Sequence, residues 1–322
     1  MRVRAIELDA SAYARHPLHA EDRQWVEKNC YWDVWIETIH ALGLDPYAMT
    51  PPIVALDFEG DQWTFFKPSH AELWDLYGVD VQELNCWQPL VEHAHEHVGG
   101  GKLISTEADA WWLPDVAGTD YKTQHTKSTI VINDLDIGAK RLGYFHNAGY
   151  FVLEGEDFDQ TFRLGPDGYP IVDPAFMPFF AELVRVDRTV VRGKPELVAM
   201  SLANLRRHHA RRPPTNPIAR FATRFAADLP GLQARGLPHY HAWAFATVRQ
   251  LGAASELMAQ YLGWAGVASD AAEAYGAIST GAKAFILKAA RAVNGKKPFD
   301  AAATFADWAA AWDRAMIAIG LL

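Results

Sequence analysis

The pattern of apolar residues changes near residues 186–195, and this change constrains the fold more than any other feature of the chain. Before it, short β-branched and aromatic runs alternate with segments of helical periodicity. After it, the sequence is rich in alanine, and almost every segment has the apolar spacing of a helix. The sequence therefore predicts an α+β domain over residues 1–190 and an all-helical domain over residues 191–322.

The predicted sheet of the first domain is antiparallel, because its strand-like runs follow one another through short turns. Strands are expected at residues 53–58, 63–66, 102–106, 129–132, 141–145 and 150–153. Helices of the first domain are expected at residues 30–42, 69–77 and 89–98. Helices of the second domain are expected at residues 196–211, 217–228, 238–262, 270–293 and 300–319.

The composition is that of an ordered globular protein, and it argues against two classes of partner. Half of the 322 residues are hydrophobic, which is enough for a sizeable core. The formal net charge of -9 argues against nonspecific binding to nucleic acid, and no stretch approaches the roughly 18 uninterrupted apolar residues of a membrane helix. The first twenty residues lack the apolar run of a signal peptide. We therefore expect a cytoplasmic protein with no nucleic-acid or membrane partner.

Cys30 is the first candidate nucleophile. Helical periodicity begins at this residue and stops before Gly43 and Pro46, so Cys30 is predicted in the first turn of a helix. Free backbone N–H groups and the positive end of the helix dipole favour the reactive thiolate there. Gln24 lies six positions earlier, where its amide and the Cys30 N–H would hold a developing oxyanion. Cys86 lacks such a glutamine, and we interpret it as an unpaired core or loop residue.

A nucleophilic cysteine needs a base, and usually a third group that orients the base. His125 is our candidate base, because it lies just ahead of the β-branched strand that begins at Thr129. Asn147 ends the next predicted strand and is expected to orient His125, although the neighbouring His146 competes for a role. Each of these residues alone has a structural explanation, since buried cysteines are commonly inert and histidines commonly structural. The hypothesis therefore depends on the combination.

The order Gln24, Cys30, His125, Asn147 resembles the papain-like fold of bacteriocin-processing peptidases and, more closely, of the acyltransferase class of butirosin biosynthesis. The segment 102–114 is similar to a stretch that follows the central helix of those proteins. Over nearly its full length the chain also resembles the bacterial family called domain of unknown function 1839. These resemblances imply a papain-like cysteine domain followed by a helical one.

The resemblance also implies a reaction. An acyl or aminoacyl group would pass from a carrier-protein thioester, held on a phosphopantetheine arm, to Cys30. It would then pass to the amine or hydroxyl of a small-molecule acceptor that His125 deprotonates. The partner would be an acyl or aminoacyl carrier protein, and the enzyme would need no cofactor of its own.

Several residues are candidates for binding the substrate. Aromatic side chains at Tyr31, Trp32 and Trp111 are predicted to form pocket walls, although aromatic stripes are also typical of a core. Asp109 is predicted to bind a substrate ammonium group, with a turn or cap near a strand end as the alternative.

A basic run at the end of a predicted helix is a candidate surface for docking an acidic carrier protein, because local fields govern encounter even when the net charge is negative. The alternative is a solvated helix C-terminus stabilised by its dipole. The docking residues are predicted to be Arg206, Arg207, Arg211 and Arg212.

Histidines at 93, 95 and 97 resemble a metal cluster, and His93 and His97 share one face of a predicted helix. No glutamate occupies the position of a general base between them, so we interpret the cluster as a solvated helix end and predict no metal site.

Three other functions remain open at the level of sequence. The same residues would hydrolyse a thioester, peptide or amide if water reached the acyl-enzyme instead of an acceptor. A noncatalytic carrier-protein or peptide-binding module predicts an unreactive Cys30. A metal hydrolase built on the histidine cluster would require tightly bound zinc.

Overall fold

The computed structural model describes residues 1–165 and 179–322 of the chain. The chain divides into two compact units, each assembled from three stretches. The first unit consists of Met1–Ala20, Asn29–Pro46 and His70–Arg192, and the second of Glu21–Lys28, Tyr47–Ser69 and Gly193–Leu322. The last division lies close to the predicted boundary at residue 190. The sequence patterns do not predict that Glu21–Lys28 and Tyr47–Ser69 belong to the helical unit.

An antiparallel sheet forms the centre of the first unit. Its described strands are β1 (Val3–Arg4), β2 (Asp80–Glu83), β3 (Leu103–Asp109), β4 (Lys127–Asp136), β5 (Arg141–His146), β6 (Gly149–Glu154) and β7 (Ala181–Arg185). They run in the order β2-β7-β3-β4-β5-β6, and β1 also pairs with β4. The helices of this unit are α1 (Cys30–Ala41), α2 (His70–Tyr77), α3 (Leu90–Gly99) and α4 (Glu156–Thr161). The predicted α+β class is therefore confirmed.

Helices α1 and α3 pack against opposite faces of this sheet. Successive residues of a strand point to opposite faces, so Thr129 and Ile130 of β4 belong to different sides. Thr129 contacts the first residue of α1. Ile130 belongs to a buried apolar cluster that includes Leu90 and Ala94 of α3. The central strands are therefore covered on both sides.

The strands predicted at residues 53–58 and 63–66 are wrong. Pro51–Ala55 forms a 3-10 helix, and Phe58 and Trp63 meet in an isolated antiparallel bridge. Two consecutive prolines remove two backbone donors at this point, which disfavours a strand ladder. The sequence patterns also miss the short strands β1, β2 and β7, because runs of two to five residues show little periodicity.

Helices dominate the second unit. The described ones are α5 (Lys194–His209), α6 (Pro217–Arg235), α7 (Leu237–Ala246), α8 (Val248–Ala265), α9 (Ser269–Asn294) and α10 (Ala302–Gly320). The single helix predicted at residues 238–262 is two helices, because the backbone leaves the helical region at Thr247, with φ -120° and ψ -89°. The Thr247 hydroxyl donates to the carbonyl of Trp243 at this break (2.7 Å). In the part of the chain that the structure describes, no helix is long and apolar enough to cross a membrane.

Candidate functional site

Cys30 is the first residue of α1, as its sequence context predicts. The side-chain oxygen of Asn29 accepts a hydrogen bond from the backbone N–H of Trp32 (2.8 Å) and so caps the helix. The Cys30 thiol is unpaired and partly exposed, and its Sγ atom lies 3.6 Å from Oγ1 of Thr129 on β4. A backbone N–H in the first turn has no acceptor within its own helix, and the positive end of the dipole lies there. The position therefore suits a thiolate and an oxyanion.

His125 and Asp109 form a hydrogen-bonded pair near the ends of β3 and β4. Nδ1 of His125 lies 2.6 Å from Oδ2 of Asp109. The imidazole also stacks on the indole of Trp111, with ring centroids 4.4 Å apart and planes 12° from parallel. When Nδ1–H donates to the carboxylate, Nε2 is left as the basic nitrogen, which is the tautomer that a general base requires. In this structure, the residue hydrogen-bonded to Nδ1 of His125 is Asp109 rather than Asn147.

Cys30 and His125 are not hydrogen-bonded to each other, contrary to the expected dyad. The strand residue that meets the thiol is Thr129, and His125 lies beyond Lys127 on the same chain segment. Lys127 and Thr129 share one face and are separated by roughly 6.6 Å along the strand, so His125 lies farther still from the thiol contact. The hydrogen bonds of these two side chains, to Thr129 and to Asp109, thus do not join the thiol to His125.

Asn147 occupies the turn between β5 and β6 with a φ of +43°. Asparagine is one of the few residues that adopt this left-handed conformation readily, which explains its presence in a tight turn. The hydrogen bond of His125 Nδ1 goes to Asp109 and not to this asparagine. The left-handed turn therefore explains why an asparagine occupies position 147.

A cavity of about 610 Å³ opens beside the His125–Asp109 pair. Both of these residues line it, together with Trp112 and residues from α4. Two carboxylates at its edge have basic partners, since Glu107 pairs with Lys127 at 2.9 Å and Asp109 pairs with His125. The volume is within the range of small-molecule sites. Asp109 and Trp112 line this cavity, whereas Trp111, which was predicted to form a pocket wall, is not among its lining residues and stacks on His125 instead.

Tyr31 and Trp32 belong to the core of the first unit. The Tyr31 hydroxyl donates to the carboxylate of Glu182 (2.9 and 3.0 Å) and lies 2.7 Å from Nε2 of His70. Burial and the nearby Glu182 charge raise the pKa of Tyr31 far above its usual range, so this hydroxyl keeps its proton. Trp32 is fully buried. Neither side chain lines the cavity beside His125.

Gln24 belongs to the second unit, where its backbone N–H donates to Glu256 (2.9 Å) and its carbonyl accepts from Lys283 (2.9 Å). Its predicted role in an oxyanion hole stays a prediction. The basic residues predicted to dock a carrier protein lie in and just after the last turn of α5 and are exposed to solvent. They are Arg206, Arg207, Arg211 and Arg212.

The guanidinium of Arg206 donates to the carbonyl of Leu322 (2.9 and 2.7 Å), and Arg212 donates to the carbonyl of His209 (3.0 Å). Arg207 donates to the side chain of Asn204 (2.7 Å). These contacts hold three of the four guanidinium groups against neighbouring parts of the chain, and docking of a carrier protein stays a prediction.

The histidines of α3 show no metal geometry. The rings of His93 and His97 are stacked, with centroids 6.2 Å apart and planes 2° from parallel, and His95 lies 3.0 Å from the carbonyl of Met1. Among the described residues, no group of histidine, cysteine and acidic side chains is arranged to hold a metal ion.

Two family models match the chain in succession. The DUF1839 N-terminal domain matches residues 14–186, and the DUF1839 C-terminal domain matches residues 194–320. The chain belongs to the DUF1839 family. The resemblance to domain of unknown function 1839 is thereby confirmed, and the junction between the two DUF1839 domains lies at the last division between the compact units. No curated protein gives a significant match to the chain.

Two contacts in this candidate site were not predicted from the sequence: that of Thr129 with Cys30 and that of Asp109 with His125. Thr129 was treated only as a strand former, although a strand that covers the start of a helix presents alternate residues to it. Asp109 was assigned to the substrate, although its position before an aromatic turn also suits a partner for His125. The pairing of β3 with β4 places Asp109 opposite Lys127 and therefore close to His125, to which it is hydrogen-bonded.

Proposed function

We propose that this DUF1839 protein is a cysteine-dependent acyl or aminoacyl transferase. The observation that carries the proposal is the position of Cys30: an unpaired thiol at the first residue of a capped twelve-residue helix, 3.6 Å from a hydroxyl on the sheet. A thiolate there is stabilised by the helix dipole and by a hydroxyl donor, without a charged partner. The finer likeness to papain-like acyltransferases is part of this proposal.

In the first half-reaction, the thiolate attacks the carbonyl carbon of a thioester. The bond from Sγ to carbon forms, the bond from carbon to the pantetheine sulfur breaks, and pantetheine leaves as its thiolate, which takes a proton from water. The backbone N–H of Cys30 supplies one donor to the oxyanion, and Thr129 supplies a hydroxyl beside the attacking sulfur. The carrier protein is proposed to bind the basic turn that ends α5.

In the second half-reaction, an amine or hydroxyl acceptor attacks the acyl carbon, the bond from that carbon to Sγ breaks, and the Cys30 thiolate is restored. We assign His125 to this step, because Asp109 holds its Nδ1 and leaves Nε2 to remove a proton from the acceptor. The cavity that both residues line has room for a small acceptor. This assignment accounts for a base that lies apart from the thiol.

The proposal is tested by intact-mass spectrometry after mixing the protein with a panel of acyl- and aminoacyl-pantetheine thioesters. The expected result is a mass increase of one acyl group in the wild type and none in Cys30→Ala. Cys86→Ala is the matched control and is expected to keep the adduct. Formation of the adduct followed by release as the free acid in the presence of acceptors would identify a hydrolase. No adduct with any donor, in a protein whose circular dichroism is native, would favour a binding module.

A further inference from the structure

A second reactive constellation lies on the opposite face of β4 from the Cys30 contact. Oγ of Ser128 lies 2.6 Å from Nε2 of His146, and Nδ1 of the same imidazole lies 2.6 Å from Oδ2 of Asp115. The three residues come from β4, from β5 and from the 3-10 turn at Pro114–Val116. Nucleophile, base and acid therefore form one continuous hydrogen-bonded chain.

The partners of His146 determine where its proton lies. Asp115 accepts a further hydrogen bond from the hydroxyl of Tyr144 (2.5 Å), and burial raises the pKa of that tyrosine well above its usual value, so it remains a donor. In the neutral imidazole whose Nδ1–H donates to this carboxylate, Nε2 carries no proton. Nε2 consequently accepts from the Ser128 hydroxyl, which is the direction of proton transfer that activates a serine.

Ser128 does not itself line the 610 Å³ cavity, but its cross-strand partner Ala108 does. Ala108 and Ser128 point to the same face of the sheet, and the Cβ atoms of such a pair are about 5 Å apart. Thr161 lines the same cavity, and its hydroxyl is buried with no hydrogen-bond partner in the part of the chain that the structure describes. A ligand in the cavity is therefore offered a polar contact by Thr161, and Ser128, beside Ala108, is 6% exposed.

We propose that Ser128 is a nucleophile, activated by His146 and Asp115, for esters or thioesters of small carboxylic acids that bind in this cavity. The proposal does not depend on Cys30, because the hydroxyl of Ser128 and the thiol of Cys30 lie on different faces of the sheet. Burial of His146 and Asp115 favours the relay, since hydrogen bonds to a carboxylate are stronger where water is excluded.

The reaction proceeds in two balanced steps. The bond from Oγ to the carbonyl carbon forms, the serine proton passes to Nε2 of His146, and the alcohol or thiol leaves with that proton. Water then attacks the acyl-serine, releases the carboxylic acid and restores the hydroxyl. No oxidant, reductant or metal is needed.

The direct test is labelling with an alkyl fluorophosphonate, followed by intact-mass spectrometry and peptide mapping. Attack by Ser128 forms the bond from Oγ to phosphorus, breaks the bond from phosphorus to fluorine and releases fluoride. The expected result is one phosphonyl group mapped to Ser128 in the wild type and in Cys30→Ala. Ser128→Ala is expected to remain unlabelled, and His146→Gln to label at least about a hundredfold more slowly.

Ser105→Ala is the matched control, because Ser105 is also a buried strand serine but donates to Glu182 and contacts no histidine. It is expected to label like the wild type. Peptide mapping of the wild type makes the test independent of whether the variants fold. A folded wild-type protein that takes up no phosphonyl group, or takes it up at a residue other than Ser128, overturns the proposal.

Discussion

Sγ of Cys30 and Oγ1 of Thr129 lie 3.6 Å apart, which connects the first residue of α1 to the third residue of β4. Thr129 is almost fully buried, whereas Cys30 is partly exposed. A hydroxyl that donates to a thiolate from the covered side leaves the other side of the sulfur open to an electrophile. The pair therefore makes the reactivity of Cys30 testable without knowledge of the substrate.

Thr129→Val keeps the branched shape of the side chain and removes only the hydroxyl. We expect the alkylation rate of Cys30 by iodoacetamide at neutral pH to fall about tenfold, because a hydrogen bond to a charged group contributes about 1.5–3 kcal/mol. Thr129→Ser is expected to stay within about threefold of the wild type. Peptide mapping against Cys86 gives an internal reference, since burial raises the pKa of that thiol. Equal rates in all three proteins would show that the hydroxyl does not act on the thiolate.

Asp109→Asn separates the two half-reactions of the proposed transferase. The amide no longer fixes the tautomer of His125, so transfer to the acceptor is expected to slow by about a hundredfold or more. Formation of the acyl-enzyme on Cys30 is expected to remain within about threefold, because Asp109 does not contact the thiol. Glu107→Gln, which disturbs only the neighbouring pair with Lys127, is the control. Single-turnover mass spectrometry of both steps makes the measurement, and equal slowing of both steps would refute the assignment.

Tyr31→Phe tests whether the tyrosine that follows the proposed nucleophile Cys30 is structural. Removal of its hydroxyl leaves the buried carboxylate of Glu182 with one donor fewer, so the free energy of unfolding is expected to fall by about 1–3 kcal/mol. The alkylation rate of Cys30 is expected to change by less than about twofold. Urea unfolding and alkylation are compared with Tyr121→Phe, whose hydroxyl bonds to Asp157 nearer the surface. A stable variant with a slowly reacting Cys30 would return Tyr31 to the active site.

His19 makes the stability of the first unit depend on pH. Its ring lies between Asp33 (3.0 Å from Nε2) and Glu37, and all three side chains are fully buried. Burial lowers the pKa of His19, but the hydrogen bonds to both carboxylates outweigh burial and raise it above its ordinary value of 6.5. For Glu37, burial raises the pKa, but the contacts with His19 and Tyr13 outweigh it and lower the pKa below 4.5.

The direction of each pKa shift determines how that residue's contribution to the stability of the fold changes with pH. The raised pKa of His19 stabilises the fold fully below pH 6.5, and this contribution is lost as the pH rises through the higher native value. The lowered pKa of Glu37 stabilises the fold above pH 4.5 and is lost on acidification through the lower native value. We therefore expect the greatest contribution of this pair between pH 4.5 and 6.5.

His19→Gln removes the cation and leaves two buried carboxylates without it. The free energy of unfolding at pH 6 is expected to fall by about 3–5 kcal/mol. The decline in stability from pH 6.5 to alkaline pH is expected to be weaker in the variant than in the wild type. Urea midpoints measured across this range make the test, with His95→Gln, an exposed histidine, as the control. An unchanged pH dependence would show that His19 is neutral in the native protein.

Much of the local structure follows from the sequence alone. Periodicity and stop signals place α1 from Cys30, and β-branched runs place β4, β5 and β6, because these elements are long enough for the pattern to repeat. The short strands β2 and β7 are too short for this, and the prolines near residue 51 turn a β-branched run into a 3-10 helix.

The sequence by itself determined the class of fold, the start of the helix that carries Cys30 and the residues able to do chemistry. Only the tertiary structure decided which of them meet. Pairing of β3 with β4 brings His125 within hydrogen-bond distance of Asp109, and pairing of β4 with β5 does the same for Ser128 and His146. Strand register is set by contacts between residues far apart in the chain, and a shift of one residue would turn every side chain to the other face. The spacing of residues within one strand therefore does not determine the register between strands.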